Sequence, residues 1–301
     1  MDPDANHGGP ATAGADPRLA MRDEARALID EARAEGLTLR LLGGLGVREH
    51  CRDLELCARD YSDLDMVAPA AEVRRLPAVL ARFGYAENFD VAVATGNRQL
   101  QFVRPCRHAR TAEGGPSHDD DHIDIFLDTF RMDHELALGD RLHLEPYTLA
   151  PTDLLLTKLQ IFRLTDKDAR DVVTLLDALE VDTPTAAPGA AGEVAGRDPA
   201  EPAAGAVAAG GRDARQTIDA AAIARRCVDD WGLFHDVATN LQRVGGLLPG
   251  FGLDDVRAAH VRRGLARLIG ALDDAPKNLR FRLRAKIGTR AAWHDEIDDQ
   301  D

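Results

Sequence analysis

Two aspartates separated by a single residue, Asp63 and Asp65, form the strongest chemical signal in the sequence. The apolar residues around them, 64–67, predict a short β-strand. Because side chains alternate along a strand, both carboxylates should lie on one face, about 6–7 Å apart. Carboxylates at this spacing can bind a pair of divalent metal ions that lie ~3.5–4 Å apart. The pair therefore predicts a metal-binding site.

A second predicted strand, residues 122–127, supplies a third carboxylate. Its apolar residues alternate with polar ones, so the apolar side chains should enter the core while Asp124 and Asp128 share the opposite face. We assign Asp124 to the site, because a carboxylate in mid-strand between apolar neighbours needs a compensating partner. Asp128 lies nearer the strand end and is the weaker candidate.

A pair of glycines, Gly43 and Gly44, follows another apolar segment, residues 37–42, which we interpret as a buried strand. We expect a helix to begin at Leu45. Glycine has no Cβ, so its backbone N–H groups can approach a phosphate chain, and the positive end of the following helix attracts the same anion. A lone diglycine is usually a turn, but its place before the aspartate pair favours phosphate binding.

This order of motifs resembles the polymerase-beta-like nucleotidyltransferase superfamily, over about residues 19–179. Within it, the chain is most similar to the minimal nucleotidyltransferases and the abortive-infection type toxins. The resemblance implies an α+β fold with a nucleotidyltransferase-like mixed β-sheet and flanking helices, followed by a helical C-terminal region. It implies that Asp63, Asp65 and Asp124 are catalytic and bind Mg²⁺ (or Mn²⁺). It also implies that Gly43 and Gly44 bind the nucleotide.

The resemblance extends to a lysine and a charged motif downstream of the aspartates. Lys158 falls within apolar helical spacing, where it either snorkels to solvent or contacts an anion. The resemblance favours contact with a triphosphate. Asp168 and Asp171 match the charged motif and join the nucleotide-binding set, where they orient Lys158 or Arg170. The alternative for both aspartates is a solvated helix start.

The chain departs from the family pattern just before the aspartate pair. Related toxins carry an Arg and a Ser or Thr there at a fixed short spacing, whereas Ser62 directly precedes Asp63 here. The interval from Gly44 to Asp63 is also long. These departures concern Arg59 and Ser62 more than the carboxylates, and Ser62 stays assigned to the nucleotide.

The reaction implied by the resemblance transfers a nucleoside monophosphate from a nucleoside triphosphate to a hydroxyl group. Members of the superfamily modify tRNA, protein hydroxyls or small aminoglycosides, so the acceptor stays open. By family analogy alone, an antitoxin partner and a role in phage defence are also expected.

Three other interpretations compete with nucleotidyl transfer. The first is a non-catalytic regulator that binds nucleotide on the same fold. The second is a metal-dependent phosphohydrolase that uses His118, His122 and the aspartates between them; neighbouring residues on a loop point in different directions, which favours a solvated loop instead. The third is a structural or interaction protein.

The overall charge of −14 argues against tight nonspecific binding to nucleic acid. Residues 257–290 form a basic exception, which either contacts RNA phosphates or balances an acidic domain. The sequence shows neither an apolar run of membrane length nor a signal-peptide pattern, so we predict a cytoplasmic protein that does not enter a membrane. Its cysteines form no C-x-x-C pair and are expected to be reduced thiols: Cys51, Cys57, Cys106 and Cys227.

The chain divides into five predicted regions by composition and periodicity. The low-complexity region is mostly Ala, Gly and Pro, which cannot bury enough apolar surface to offset the entropy of ordering. The regions are a disordered tail (1–16), a nucleotidyltransferase-like domain (17–150), its helical extension (151–182), a low-complexity linker (183–216) and a helical C-terminal region (217–301). Further predicted elements are a helix from Pro17, a strand at 98–104, and helices at 152–164 and 167–179.

Overall fold

The computed structural model describes residues 17–58, 61, 63–96, 98–104, 121–182 and 216–294. The predicted tail, most of the predicted linker and the predicted loop before residue 121 lie outside these ranges. The described part is α+β, as predicted, with one five-stranded mixed sheet and two small two-stranded sheets.

The helices and strands follow one another in a mixed order along the chain. The strands are β1 (Arg40–Leu41), β2 (Asp63–Ala68), β3 (Ala86–Asn88), β4 (Gln99–Arg104), β5 (Asp121–Leu127), β6 (Thr129–Arg131), β7 (Glu135–Ala137), β8 (Glu180–Asp182) and β9 (Thr217–Asp219). The helices are α1 (Pro17–Ala34), α2 (Gly43–Glu49), α3 (Leu76–Ala81), α4 (Phe89–Ala94), α5 (Pro151–Leu159), α6 (Asp166–Ala178), α7 (Ala220–Cys227), α8 (Trp231–Leu247), α9 (Asp255–Asp274) and α10 (Leu279–Ile287).

The five-stranded sheet has the order β1-β2-β5-β4-β3. Its central pair, β2 and β5, is parallel, and the other three pairs are antiparallel. Parallel strands need a crossover connection, and here the chain between β2 and β5 includes α3, β3, α4 and β4. This crossover brings two motifs that are some sixty residues apart in the sequence side by side.

The two faces of the sheet belong to different cores. One face, with Met66 and Ile125, packs against α1 and α3 in a fully apolar core. The other face contributes Val67 near the end of β2 to a second core, which is built mostly by α5 to α9. Residues at the start of β2 and β5 on that second face are polar, and they form the candidate site.

Several predicted boundaries were wrong. The segment 37–42 forms a strand only at Arg40–Leu41, and the helix begins at Gly43 rather than Leu45. Gly43 adopts a positive φ of 64°, which lets the chain turn directly into α2. The helix predicted to reach residue 164 ends at Leu159, where the side-chain amide of Asn240 donates to the carbonyls of Leu159 and Ile161 at 2.9 and 2.6 Å.

Other predictions were confirmed. The apolar spacing of helix α1 predicts one buried face, of which Ala25, Leu28, Ile29 and Ala32 are buried and Met21 is partly buried. Gly36 follows it at a φ of 69°, as expected of a helix stop. The strands around residues 64–67, 98–104 and 122–127 are present as β2, β4 and β5. In the described ranges, no helix combines the length and the apolar character required to cross a membrane.

Candidate functional site

The parallel pairing of β2 and β5 sets the geometry of the candidate site. In register, Asp63 lies opposite His122, and Asp65 lies opposite Asp124. Residues paired in this way project to the same side of a sheet, and residues two apart on one strand do so as well. All four side chains therefore lie on one face of the two central strands. The sequence predicted this face for the three aspartates.

Three of these residues could hold a metal ion. Ligand atoms of Asp63, His122 and Asp124 all lie within 4.8 Å of one another. His122 Nε2 is 3.8 Å from Asp63 Oδ2 and 3.7 Å from Asp124 Oδ2. The side chains are 41%, 31% and 14% exposed respectively, so the group opens to solvent on the Asp63 side.

Asp65 occupies a different position, against the start of α2. A methyl group added at Gly43 would overlap Asp65 Oδ2 and lie 2.9 Å from its Cγ. The backbone N–H of Leu42 also donates to the carbonyl oxygen of Asp65 at 3.0 Å, which fixes the start of the helix against β2. Gly43 is therefore required by the close approach of the Asp65 carboxylate.

The pKa of the Asp65 carboxyl is raised to about 7, first by burial and then by the negative charge of Asp63. Lys158 is the largest influence that lowers it, and Asp124 adds to the increase. The strand register places Asp65 beside Asp124, although Asp65 is not a member of the group with atoms within 4.8 Å.

A row of amide side chains continues the site across the sheet. Asp124 pairs in register with Gln101 of β4, which pairs with Asn88 of β3. Gln101 Nε2 donates to Asp124 Oδ1 at 3.2 Å, and Asn88 Nδ2 donates to Gln101 Oε1 at 2.8 Å. Burial raises the pKa of Asp124, while hydrogen bonds from Gln99 and Gln101 oppose this increase. The row fixes the orientation of the Asp124 carboxylate.

Lys158 forms ion pairs with both aspartates of the predicted charged motif. Its Nζ lies 3.1 Å from Asp168 Oδ1 and 3.0 Å from Asp171 Oδ2. These charges raise the pKa of Lys158 against the lowering effect of its burial. Thr165 caps α6 by accepting from the backbone N–H of Asp168, and its hydroxyl donates to Asp168 Oδ2 at 2.5 Å. The proposed orienting role of the two aspartates agrees with these contacts.

The remaining predicted residues have separate outcomes. Gly44 is buried in α2 beside Gly43, whereas Ser62 and Arg59 lie outside the described residues. Asp128 follows β5 at a φ of 56°, where its Oδ1 accepts from the backbone N–H of Ala70 at 3.2 Å. It therefore shapes a turn at the strand end.

His122 was missed as a partner of the three aspartates. The sequence places His122 at the start of the predicted strand 122–127 but indicates it as a metal ligand only together with His118 and the aspartates between them, and residues 118–120 lie outside the described ranges. The available signal was the strand alternation itself, because His122 and Asp124 are two residues apart and must share a face.

The basic C-terminal segment divides into two groups. Lys277 and Arg284 donate to backbone carbonyls within the C-terminal region at 2.6 to 3.1 Å, and Arg267 donates to the carbonyl of Val181 in β8 at 2.8 Å. The other predicted RNA contacts are exposed: Arg262, Arg263, Arg280, Arg282 and Lys286.

The donor set fits a divalent ion. Two carboxylates and an imidazole are common metal ligands, and Gln101 supplies the outer hydrogen bond that orients one of them. Comparison of the chain with protein-family models and with curated proteins finds no match.

Proposed function

We propose that the chain is a divalent-metal-dependent nucleotidyltransferase, which transfers a nucleoside monophosphate from a nucleoside triphosphate to a hydroxyl group. One observation carries the proposal: the register that places Asp63 and Asp65 of β2 beside Asp124 of β5 on one face of the sheet. The start of α2 adjoins that face through Gly43. Strand, diglycine, helix and acidic strand pair are the parts that the polymerase-beta-like superfamily shares.

In the proposed transfer, the acceptor oxygen bonds to the α-phosphorus, the bond from that phosphorus to its bridging oxygen breaks, and pyrophosphate leaves. Asp63, Asp65 and Asp124 would hold the divalent ions, which when bound would supply positive charge to the triphosphate. Asp124, oriented by Gln101, accepts the proton of the acceptor hydroxyl.

Lys158 and the diglycine would bind the leaving phosphates. A lysine ammonium has three donors, so a phosphate contact is compatible with its ion pairs to Asp168 and Asp171. Gly43 and Gly44 would contribute backbone N–H groups at the start of α2.

The direct test is incubation of the full chain with each α-labelled nucleoside triphosphate, Mg²⁺ or Mn²⁺, and RNA or protein extract. We expect label in an acceptor and an equal amount of released pyrophosphate. Asp63→Asn and Asp124→Asn should lower transfer by about two orders of magnitude or more, because the ions lose a ligand. Asp140→Asn, at an exposed position, is the matched control. Transfer that survives in both site variants would contradict the proposal.

A non-catalytic nucleotide-binding regulator is the second candidate, and one observation favours it. The Asp65 carboxylate lies directly against Gly43, at the place where the proposal needs access to the diglycine backbone. Such a regulator would bind a nucleoside triphosphate with a divalent ion and release no pyrophosphate. Equilibrium binding of labelled nucleotide, combined with the pyrophosphate assay, distinguishes the two.

The acceptor, the antitoxin partner and the cytoplasmic location stay predictions. The exposed arginines of α9 and α10 could contact RNA phosphates, and they fit a solvated protein surface equally well. Binding of tRNA measured over a range of salt concentrations decides this point, because phosphate contacts make affinity fall as salt rises.

A further inference from the structure

We propose that Asp63, His122 and Asp124 form a site for a transition-metal ion of the Mn²⁺, Co²⁺ and Zn²⁺ class, with the His122 imidazole as the ligand that selects against Mg²⁺. The inference concerns the same sheet face as the proposed function and rests on it for the use of the ion. Binding of the ion itself is independent of any reaction.

The distances suit an ion better than a direct contact. His122 Nε2 lies 3.8 and 3.7 Å from the two carboxylate oxygens, beyond hydrogen-bonding length. Ligand atoms ~2.1 Å from a tetrahedral ion lie roughly 3.4 Å apart. To reach that spacing, the two distances from His122 would shorten by about 0.3–0.4 Å, and the two carboxylates, whose ligand atoms lie within 4.8 Å of each other, would also approach.

The chemistry of the ligands determines the class of ion. Mg²⁺ prefers a shell of six oxygens and retains several waters. An imidazole nitrogen binds Co²⁺ and Zn²⁺ more strongly than it binds Mn²⁺. The presence of His122 in place of an oxygen ligand therefore weakens the binding of Mg²⁺ relative to the binding of the later transition metals. Three protein ligands and an exposed side also leave a coordination position for water or substrate.

The surroundings hold the group in place before an ion binds. Asp63 of β2 is paired with His122 of β5, and His122 is also paired on its other side with Val103 of β4. Gln101 Nε2 holds Asp124 Oδ1 at 3.2 Å, which leaves Asp124 Oδ2 on the His122 side. A hydrogen-bonded outer residue of this kind is typical of protein metal sites.

The test measures metal binding by the untagged full chain after chelation, without nucleotide. Mg²⁺, Mn²⁺, Co²⁺ and Zn²⁺ are titrated separately by calorimetry, and bound Co²⁺ is also followed by its visible absorption. The variants are His122→Asn, His122→Asp and the control His143→Asn, at an exposed histidine. Circular dichroism checks that each variant is folded.

We expect wild type and His143→Asn to bind Co²⁺ and Zn²⁺ at least about 100-fold more tightly than Mg²⁺. His122→Asn should bind Co²⁺ and Zn²⁺ at least about tenfold more weakly than wild type. His122→Asp should reduce the difference between the affinities for Co²⁺ and for Mg²⁺. Equal affinity of the wild type for Mg²⁺ and Co²⁺, or Zn²⁺ and Co²⁺ affinities unaltered in His122→Asn, would overturn the inference. Selective Co²⁺ binding without label transfer would leave this inference standing and remove only the proposed function.

Discussion

At the scale of single residues, the tightest packing in the site joins Gly43 to Asp65. The approach is possible because glycine has no Cβ, and the positive φ of Gly43 adds a second reason for glycine. The sequence suggested that this glycine serves a phosphate chain. In the structure its first role is to admit a carboxylate of the same protein.

A substitution at Gly43 separates these two reasons. Gly43→Ala should destabilise the fold by more than the roughly 1 kcal/mol that a positive φ costs an L-residue, because the new methyl group overlaps Asp65 Oδ2. Gly36→Ala is the matched control: its φ is 69°, and no atom lies within 4 Å of the added methyl group. The free energy of unfolding in urea measures both. Equal losses in the two variants would show that Asp65 is not held where the structure places it.

Lys158 is a second case at the residue scale, where the sequence predicts that a cation needs a partner but does not identify the partner. Its apolar helical spacing indicated that the cation needs an anion, but spacing alone gives no partner. The partners, Asp168 and Asp171, come from the next helix, and they pair with Lys158 because α5 and α6 pack together. The ion pairs were foreseen only as one of several roles for these aspartates.

At the scale of elements, strand alternation predicted the long strands and the faces of Asp65 and Asp124. The short elements β3, β6, β7, β8 and β9 were missed. Strands of three residues hold too few alternations to give a periodic signal, and β8 pairs with β9 although the two strands are far apart in the sequence. Pairing of distant segments is a tertiary property, which the pattern of a single short segment does not show.

The segment joining α2 to β2 carries a second element-scale feature, a cysteine pair beside a buried arginine. Arg48 Nη1 donates to Cys57 Sγ at 3.7 Å. The pKa of Cys57 is lowered to about 7, first by a hydrogen bond from Cys51. Burial opposes this decrease, and the positive charge of Arg48 adds to it. The paired interaction raises the pKa of Cys51. One thiolate shared by the two cysteines is therefore expected near neutral pH.

This thiolate gives a pH prediction. A thiolate forms as pH rises through the pKa, so its ultraviolet absorbance should increase with a midpoint near 7. Replacing Arg48 by Leu removes a positive charge that favours the thiolate, so the midpoint should move to higher pH. The difference spectrum against Cys57→Ser isolates the signal. A midpoint at the ordinary cysteine value in the wild type would contradict the predicted interaction.

At the scale of the whole molecule, the sheet and the C-terminal helices share one apolar core. Leu42 and Val67, from the sheet side, belong to the same cluster as Val261 and Leu268 of α9. Charged contacts join the same parts: Arg257 of α9 pairs at 2.7 Å with Asp177 of α6 and with Asp53, which precedes β2. The boundaries predicted at residues 150 and 182 came from composition, which does not reveal shared packing.

The end of the described chain is tied into this body by a buried polar cluster. His134, between β6 and β7, contacts Asp236 of α8 with Nε2 2.7 Å from Oδ2. The indole N–H of Trp293 donates to Asp236 Oδ1 at 3.0 Å. One aspartate thus joins a hairpin, a helix and the C-terminal segment, which a linear division of the chain into regions could not foresee.

A shared core predicts that the described part unfolds as one unit. Leu268→Ala, which removes a buried side chain of α9, should lower the free energy of unfolding by about 2–5 kcal/mol. Two probes should report the same loss of unfolding free energy: tryptophan fluorescence and amide hydrogen exchange in β5. Both tryptophans lie in the C-terminal region, at positions 231 and 293. Leu283→Ala, at an exposed position of α10, should leave both nearly unchanged.

If fluorescence reported the loss while β5 kept its protection from exchange, the helices would unfold on their own. The stability of the candidate site would then be independent of the C-terminal region. Substitutions in α9 would change metal binding at the site only through contacts between α9 and the sheet.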